Sequence, residues 1–355
     1  MASSIVWVRD VPESKALATK ALPAPVVRAR DAAARARSGQ IVLRWVALGL
    51  FVAAAAVPLF GNDFYTRLTT EALLLGLLAL SVDVLLGFAG LLSLGQAAYF
   101  GLGAYTAALV YLHVSQSLWV VALSVVAVTT VAALLIGGAI IRTGGVYFTL
   151  VTLGVGEILG KITNNIPSLG GSDGLLGIPI PVIGFLGATL DLRGNATFLY
   201  VVLAIVSGLC FAVMRLLDTP FGSVLYAIHD NAERVPYLGY DPNRFKLIAF
   251  VGAANLAAIG GMFYPFLRGF VSPVLFGFEY STRAVVMSLL GGLGTLVGPL
   301  GGAALVTMLE IAIGGFIKHH LLVIGLVFVI CVIFFPSGLL GVLRERYRAR
   351  RTTDA

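Results

Sequence analysis

The chain has 355 residues, of which 59% are hydrophobic and 12% charged, and its mean hydropathy is +0.97. This composition excludes a soluble globular domain and predicts an all-α, polytopic integral membrane protein, because helices satisfy their own backbone hydrogen bonds in lipid. The net charge of +7 comes from basic residues gathered in loops and tails, which favours a membrane surface over nucleic acid as their partner.

The predicted transmembrane region runs from residue 41 to residue 343, between basic tails at residues 1–40 and 344–355. Apolar stretches of about 20 residues can cross the hydrocarbon core of a bilayer, and about ten such helices are predicted, some broken by Gly-rich segments. They cover roughly residues 41–60, 68–87, 92–113, 118–141, 146–163, 196–217, 245–267, 279–291, 299–316 and 320–335. The eighth stretch is short, and the sequence leaves open whether it spans the bilayer or is re-entrant.

The distribution of Lys and Arg predicts the orientation. If the chain starts inside and crosses the membrane ten times, both tails and the segment 218–246 lie in the cytosol. All but six of the 24 Lys and Arg residues then lie on the cytosolic side. We therefore expect a multi-pass protein of a bacterial-type inner membrane with both termini cytosolic. Four arginines of the first tail are expected to contact anionic membrane lipids: Arg28, Arg30, Arg35 and Arg37.

The longest loop on the predicted outer side covers residues 164–195 and is rich in Gly and Pro. Proline fixes φ and removes a backbone donor, so a continuous helix is excluded and packed turns are expected. Both a plain connector and a docking or gating surface fit a loop of this length.

Two Gly-rich interruptions occupy comparable places, at Leu85–Tyr105 and Leu289–Val306. Paired broken helices indicate a transport site, because unwound backbone can line a polar cavity. The candidates for a translocation path are Ser93, Gln96, Tyr99, Tyr105, Thr152, Glu157, Gly291, Gly294 and Thr295. Hydrogen bonding between helices would explain the first four equally well. The spacing of Gly294, Gly298 and Gly302 favours close helix packing within the chain over a dimer seam.

Five ionisable residues fall at membrane depth: Glu71, Asp83, Glu157, Lys161 and Glu310. Leaving such a group unpaired in lipid is costly, so each is a candidate for a functional or paired role. Glu157 and Lys161 are four residues apart on one predicted helix and are expected to form a salt bridge. Asp83 lies near the inner end of its span and is expected at the membrane interface.

The sequence contains no catalytic, metal-binding or nucleotide-binding pattern. The stretch GVGEILGKI, Gly154–Ile162, fails as a phosphate loop because its first Gly is one position off and Ile162 replaces the Ser or Thr that would hold magnesium. Cys210 and Cys331 lie in apolar runs and suggest neither a disulfide nor a metal pair. We therefore expect that the chain is not an enzyme, holds no cofactor and binds no nucleotide itself.

Several longer stretches, taken in order, resemble one family of membrane proteins. They are GLLSLGQAAYFGLGAYTAAL (Gly90–Leu109), TLGVGEI (Thr152–Ile158), GGSDGLLGIP (Gly170–Pro179), FGSVLYAIHDNAERVPYLGYDPNRFKLIAF (Phe221–Phe250), GGLGTLVGPLGGAAL (Gly291–Leu305) and FFPSGLLG (Phe334–Gly341). In their order and spacing they are similar to the LivM-type permease subunits of ABC importers for branched-chain amino acids, over roughly Leu75–Gly341.

The resemblance implies a permease that moves a small polar solute inward together with partner subunits. These are two cytosolic ATP-binding subunits that hold ATP and Mg, an extracytoplasmic solute-binding protein, and a second permease, expected as a heterodimer with a homodimer left open. A branched-chain or other aliphatic amino acid is the first candidate solute. Urea, short amides and aromatic acids stay open, because Arg142–Tyr147 departs from the Arg-x-Arg-Gly-Asp-Tyr pattern common in the family. An ion-coupled secondary carrier and a membrane scaffold or sensor remain as alternatives of other classes.

In this family the polar segment Asp218–Lys246 corresponds to a coupling loop that docks on an ATP-binding subunit. The resemblance implies a helix around Ala227–Leu238, ended by Gly239, that offers Leu225 and Ile228 as apolar contacts. Pro236 is expected to distort this helix. The residues assigned to coupling are Ala227, Ile228, His229, Asp230, Asn231, Glu233, Arg234 and Gly239.

Overall fold

The computed structural model describes residues 46–59, 62–185 and 188–314, together with the single residues 325 and 338. The helices in this part of the chain are α1 Val46–Leu59, α2 Asp63–Asp83, α3 Gln96–His113, α4 Leu118–Ile140, α5 Gly145–Asn165, α6 Asn195–Leu217, α7 Pro220–Asn231, α8 Pro242–Arg268, α9 Phe278–Gly291 and α10 Gly298–Gly314. The strands are β1 Leu175–Leu176, β2 Val182–Phe185, β3 Ala188–Asp191 and β4 Phe270–Val271. Both tails, Cys331 and, apart from Gly325, the predicted span 320–335 lie outside the described residues.

Five helices are long and apolar enough to cross a membrane, namely α2 with its continuation to Phe88, α4, α5, α6 and α8. Each coincides with a predicted span, which confirms an all-α, polytopic membrane protein. The shorter helices α1, α3, α9 and α10 fall on the predicted spans 41–60, 92–113, 279–291 and 299–316.

Helix α2 lies at the centre of the bundle. In its apolar window 83% of the residues are buried inside the protein, against 28% for α4 and 22% for α5. Between Glu71 and Asp83 its sequence is ALLLGLLALSV, and a helix that is apolar all round suits a position among other helices. Helices α4 and α5 instead expose large apolar side chains such as Leu123 and Leu150, as expected for surfaces that meet lipid or another membrane subunit.

Helices α3 and α8 approach closely because glycines lie at their contact. A Cβ at Gly103 would be 2.7 Å from the Cα of Ala258, and a Cβ at Gly261 would overlap the carbonyl oxygen of Phe100. Small residues allow helix backbones in a membrane to pack at this distance. The contact fixes the position of α3, which begins at the first Gly-rich interruption.

The loop predicted as packed turns contains short strands as well. Strand β1 pairs antiparallel with β4, so that Leu175 lies opposite Val271, and β2 and β3 form a hairpin. The backbone N–H of Ile178 donates to the carbonyl oxygen of Gly269 over 3.0 Å. The loop is thereby anchored to the chain that follows α8.

Helix α9 is too short to cross a bilayer by itself. Its 14 residues correspond to about 21 Å at 1.5 Å per residue, whereas the hydrocarbon core is about 30 Å thick. A 3₁₀ turn, Pro273–Phe276, precedes it and is buried except for Val274. The ring of Phe276 packs against Gly101 of α3, 2.9 Å from where a Cβ would lie.

Helix α10 returns antiparallel to α9 and packs tightly against it. A Cβ at Gly298 would lie 2.6 Å from the carbonyl oxygen of Gly291, and a Cβ at Gly302 would overlap the carbonyl oxygen of Met287. These contacts agree with the expected close packing within the chain. Gly294 does not join them, since it lies in the turn between the two helices.

Two of the carboxylates predicted at membrane depth, Glu71 and Glu310, form ion pairs. Glu71 of α2 pairs with Arg268 at the end of α8, and Glu310 of α10 pairs with Arg283 of α9. The sequence prediction that these carboxylates need partners therefore agrees with the structure, although it did not name the arginines.

The predicted salt bridge between Glu157 and Lys161 is wrong. The Glu157 Oε1 atom accepts the backbone N–H of Phe278 over 2.9 Å, and no ion pair joins Glu157 to Lys161 in the described part of the chain. Intrahelical spacing suggested the pair, but the first residue of α9 provides a closer donor.

Candidate functional site at the two helix breaks

Ahead of the first residues of α8, the polar segment 218–246 folds as two short helical pieces rather than one. Helix α7 starts at Pro220 and ends at Asn231, whose Oδ1 atom accepts the backbone N–H groups of Glu233 and Arg234 over 3.1 and 3.2 Å. A 3₁₀ turn, Val235–Leu238, follows. The predicted helix over 227–238 is therefore wrong in its bounds.

Pro236 and Gly239 find their places in this 3₁₀ turn. Pro236 lies in its first residues, where a missing N–H breaks no helical hydrogen bond, so the expected distortion of the helix does not arise. Gly239 ends the turn at φ 84°, a left-handed conformation that glycine adopts at little cost. The prediction that Gly239 ends the helical segment is correct, but what it ends is the 3₁₀ turn.

The exposed surface of the segment differs from the predicted one. Leu225 and Ile228 were expected to contact a partner, but they are 1% and 3% exposed and belong to the protein's own core. Of the residues assigned to coupling, Ala227 is half-buried. The polar ones are all exposed: His229, Asp230, Asn231, Glu233 and Arg234.

Sequence reasoning missed the large apolar side chains that do face outward. Tyr237 is 91% and Leu238 69% exposed. The sequence shows them as two bulky residues directly after Pro236. They were missed because the prediction for this segment considered mainly its polar residues. A groove of about 470 Å³ runs beside them, between the start of α7 and the 3₁₀ turn, and its lining includes Ser223 and Tyr240.

Helix α7 packs directly on the first Gly-rich interruption. Helix α2 continues as a π-helical segment over Val84–Phe88, and residues 89–95, here called the first break, lead into α3. The Phe88 and Tyr226 rings meet edge to face with centroids 5.4 Å apart. His229 lies against Gly90, where a Cβ would come within 3.2 Å of its Nδ1 atom.

Helix α5 holds the other side of the first break through two threonines. The Thr149 hydroxyl donates to the carbonyl oxygen of Leu92 over 2.8 Å, and the Leu94 N–H donates to Thr152 Oγ1 over 3.2 Å. Ser93 is buried, and its Oγ accepts the Gly95 N–H over 3.3 Å. The hydroxyl groups of Ser93 and Thr152 thus satisfy the backbone of the break.

Residues 292–297, here called the second break, join α9 to α10 and lie against the π-helical segment that leads into the first break. The Thr295 hydroxyl donates to the carbonyl oxygen of Gly292 over 2.7 Å and accepts the Gly298 N–H over 3.0 Å. A Cβ at Gly87 would lie 2.5 Å from the Gly294 nitrogen. The two interruptions, more than 180 residues apart in sequence, are therefore in contact.

The remaining path candidates on α3 are buried polar groups. Gln96, Tyr99 and Tyr105 are each at most 4% exposed, and neither the Gln96 amide nor the two tyrosine hydroxyls have a hydrogen-bond partner among the described residues. The Tyr99 ring packs edge to face on Phe250, and the Tyr105 ring tilts over Phe276. Buried polar groups are usually paired, so α3 carries an uncommon amount of unused hydrogen-bonding capacity.

The nine path candidates therefore fall into two groups at the two ends of α9. One group belongs to the breaks or to the adjoining turns of α3, α5 and α9: Ser93, Gln96, Tyr99, Thr152, Gly291, Gly294 and Thr295. Tyr105 and Glu157 instead contact the segment that leads into the start of α9, at Phe276 and Phe278.

Comparisons with known proteins match most of the chain. The family described as "Branched-chain amino acid transport system / permease component" matches residues 64–332. The high-affinity branched-chain amino acid transport system permease proteins LivM of Salmonella typhimurium and Escherichia coli are each 29% identical over 323 residues, covering 85% of this chain and 76% of theirs.

Permeases for other solutes match over shorter stretches. The fructose import permease protein FrcC of Rhizobium meliloti is 29% identical over 159 residues, covering 42% of this chain and 44% of its own. No solved structure matches the chain. Since the family match spans the helical bundle from α2 through α10 and both breaks, the chain belongs to the permease components of branched-chain amino acid transport systems.

Proposed function

We propose that this chain is one of two permease subunits of an ABC importer in a bacterial-type inner membrane, and that it moves a branched-chain or other aliphatic amino acid inward. Two cytosolic ATP-binding subunits hydrolyse ATP, and an extracytoplasmic binding protein delivers the solute. Both termini and the segment 218–246 face the cytosol, as the distribution of basic residues indicates.

The observation that carries this proposal is the contact between α7 and the first break. The sequence has no phosphate loop, so in an ATP-driven importer the energy enters this chain through contact with another subunit. Helix α7 buries Leu225 and Ile228 in the protein, and its exposed residues Tyr226 and His229 also contact Phe88 and Gly90. A displacement of α7 therefore acts directly on the unwound segment between α2 and α3, where a change between discrete arrangements is possible.

The surface that meets the ATP-binding subunit is the 3₁₀ turn together with the polar end of α7. Tyr237 and Leu238 supply the apolar contact, as large exposed side chains often do at the centre of an interface. Asp230, Glu233 and Arg234 are exposed just before the turn in sequence and set the register of docking. The role first assigned to Leu225 and Ile228 thus passes to the two residues of the turn.

The similarity to permeases supports an amino-acid solute. The two relatives whose names specify branched-chain amino acids match over 85% of this chain, whereas the fructose permease matches over 42%. Backbone groups of the breaks and the unpaired hydroxyl and amide groups of α3 offer polar contacts to a small zwitterion. The binding protein sets the specificity, and the path through the permeases is permissive.

Reconstitution of the complete complex in liposomes tests the proposal. We expect ATP-driven uptake of radiolabelled leucine that requires the ATP-binding subunits. Simultaneous Tyr237→Ala and Leu238→Ala substitution should weaken the association of the ATP-binding subunit about tenfold and reduce uptake, while the exposed positions leave folding intact. Leu176→Ala is the matched control, since Leu176 is 68% exposed and lies on the predicted outer side.

Two outcomes would contradict the proposal. Leucine flux from the purified chain alone in a proton or sodium gradient would favour a secondary carrier. An unchanged association of the ATP-binding subunit with the Tyr237 and Leu238 variant would remove the docking surface from the 3₁₀ turn.

A further inference from the structure

Asp83 joins the end of α2 to the second break. The sequence suggested an interfacial position, but the side chain is completely buried. Its Oδ1 atom accepts the Gly294 N–H over 2.6 Å, and its Oδ2 atom accepts the Leu296 N–H over 3.1 Å. Both carboxylate oxygens are thus used on a turn more than 200 residues away in sequence.

The turn that Asp83 holds is strained. Leu296 has φ 60°, and it is the one residue other than glycine with positive φ among those the structure describes. This region is unfavourable for a side chain with a Cβ, so such a conformation persists where its surroundings enforce it. The N–H of this residue points at Asp83, and hydrogen bonds to a carboxylate are stronger than those to neutral acceptors.

Asp83 also lies within reach of the contact with α7. Gly87, one helical turn later, lies against the hydrogen bond between the carboxylate and Gly294, since a Cβ there would lie 2.6 Å from Asp83 Oδ1 and 2.5 Å from the Gly294 nitrogen. Gly90, three residues further, meets His229 of α7. The chain from α7 to the second break is therefore continuous: His229, Gly90, the π-helical segment, Asp83 and the turn.

A buried carboxylate without a cation is costly and needs a reason. No ion pair to Asp83 is found in the described ranges, and backbone N–H groups of the second break are its hydrogen-bond partners there. The carboxylate accepts two N–H groups of the turn that would be costly to leave unpaired, and it thereby ties the end of α2 to the second break.

We propose that Asp83 is a positioning residue that makes the second break follow the first when α7 moves. This rests on the proposed function, in which α7 receives the motion of the ATP-binding subunit. A shift of the π-helical segment carries the carboxylate, and the strained turn at Leu296 moves with it because the Gly294 and Leu296 N–H groups are bound there. Both ends of the unwound region then rearrange together rather than one after the other.

The test compares uptake with ATP hydrolysis in the same vesicles. The complete complex is reconstituted with the wild type or with Asp83→Asn, which keeps one carbonyl oxygen but cannot accept both N–H groups. We expect leucine uptake per ATP hydrolysed to fall about tenfold, the factor that corresponds to one hydrogen bond to a charged group, while ATP hydrolysis and the yield of complex are unchanged. Asp63→Asn, at the exposed start of the same helix, should leave the ratio unaltered.

A second variant tests the same link without altering the carboxylate. Gly87→Ala pushes Gly294 away from Asp83, so its uptake per ATP should fall in the same way even if Asp83→Asn fails to assemble. A wild-type ratio in either variant, or a parallel loss of uptake and hydrolysis, would overturn the inference. Absence of ATP-driven leucine uptake by the wild type would overturn the proposed function, and the inference with it.

Discussion

Glu157 of α5 caps the start of α9, its Oε1 atom 2.9 Å from the backbone nitrogen of Phe278. The first N–H groups of a helix have no partner inside it, and a carboxylate at this end also meets the positive end of the helix dipole. Because α9 has only 14 residues and no side-chain cap of its own, this contact from another helix fixes where it begins.

Removing this cap should destabilise the protein moderately. We expect Glu157→Ala to lower the free energy of unfolding by about 1 kcal/mol, as for loss of an N-terminal cap, and Glu157→Gln by less because its amide oxygen still accepts. Thermal melting of the purified protein in detergent measures both. Lys161→Ala is the control and should melt with the wild type. An equal loss of stability in Glu157→Ala and Lys161→Ala would instead support the salt bridge between Glu157 and Lys161.

The contact between α3 and α8 should tolerate no added methyl group. Gly103→Ala and Gly261→Ala each place a Cβ against the backbone of the other helix and should cost about 1–3 kcal/mol through overpacking. Gly252→Ala on α8 meets nothing within 4 Å and should be neutral or stabilising, because Ala favours the helix over Gly. Melting temperatures in detergent compare the three, and a Gly261→Ala protein as stable as Gly252→Ala would contradict the close approach.

The pair between Glu71 and Arg268 should show energetic coupling. Their side chains are 12% and 45% exposed, so Arg268→Ala leaves a largely buried carboxylate unpaired. A double-mutant cycle with Glu71→Ala should give a coupling of about 1 kcal/mol, less than for a fully buried pair because water screens Arg268. The pair of Arg193 with Asp191, 3.9 Å apart and 74% and 57% exposed, should give a coupling near zero. Equal coupling energies for the two pairs would mean that burial of Glu71 does not strengthen its interaction with Arg268.

The sequence was sufficient for the bundle and for the place of the breaks. Runs of apolar residues of the right length can only be helices in lipid, and the Gly-rich stretches could not continue them, so the approximate bounds of α2 to α6 and of α8, and the interruptions, followed from local chemistry. The functional meaning of individual residues depended on tertiary contacts. Asp83 looked interfacial because its partners, Gly294 and Leu296, are donors from the backbone of a distant turn.

The faces of α7 show the same limit. A helix predicted in isolation gives no sign of which apolar residues the protein itself covers, and Leu225 and Ile228 were assigned to a partner although they pack inward. The predicted end of α7 was wrong because the Asn231 side chain accepts backbone N–H groups that would otherwise continue the helix. Helix propensity alone does not decide between these two hydrogen-bonding patterns.

Asn231 should therefore control how the 3₁₀ turn presents Tyr237 and Leu238. Asn231→Ala removes the acceptor for two N–H groups and should loosen the turn by about 1 kcal/mol, which lowers association of the ATP-binding subunit. Asn231→Asp keeps the acceptor oxygen and should restore association, as measured by copurification or by titration of the labelled subunit. Equal weakening by both variants would mean that the Asn231 amide contacts the partner itself, whereas rescue by Asp assigns Asn231 to the shape of the turn.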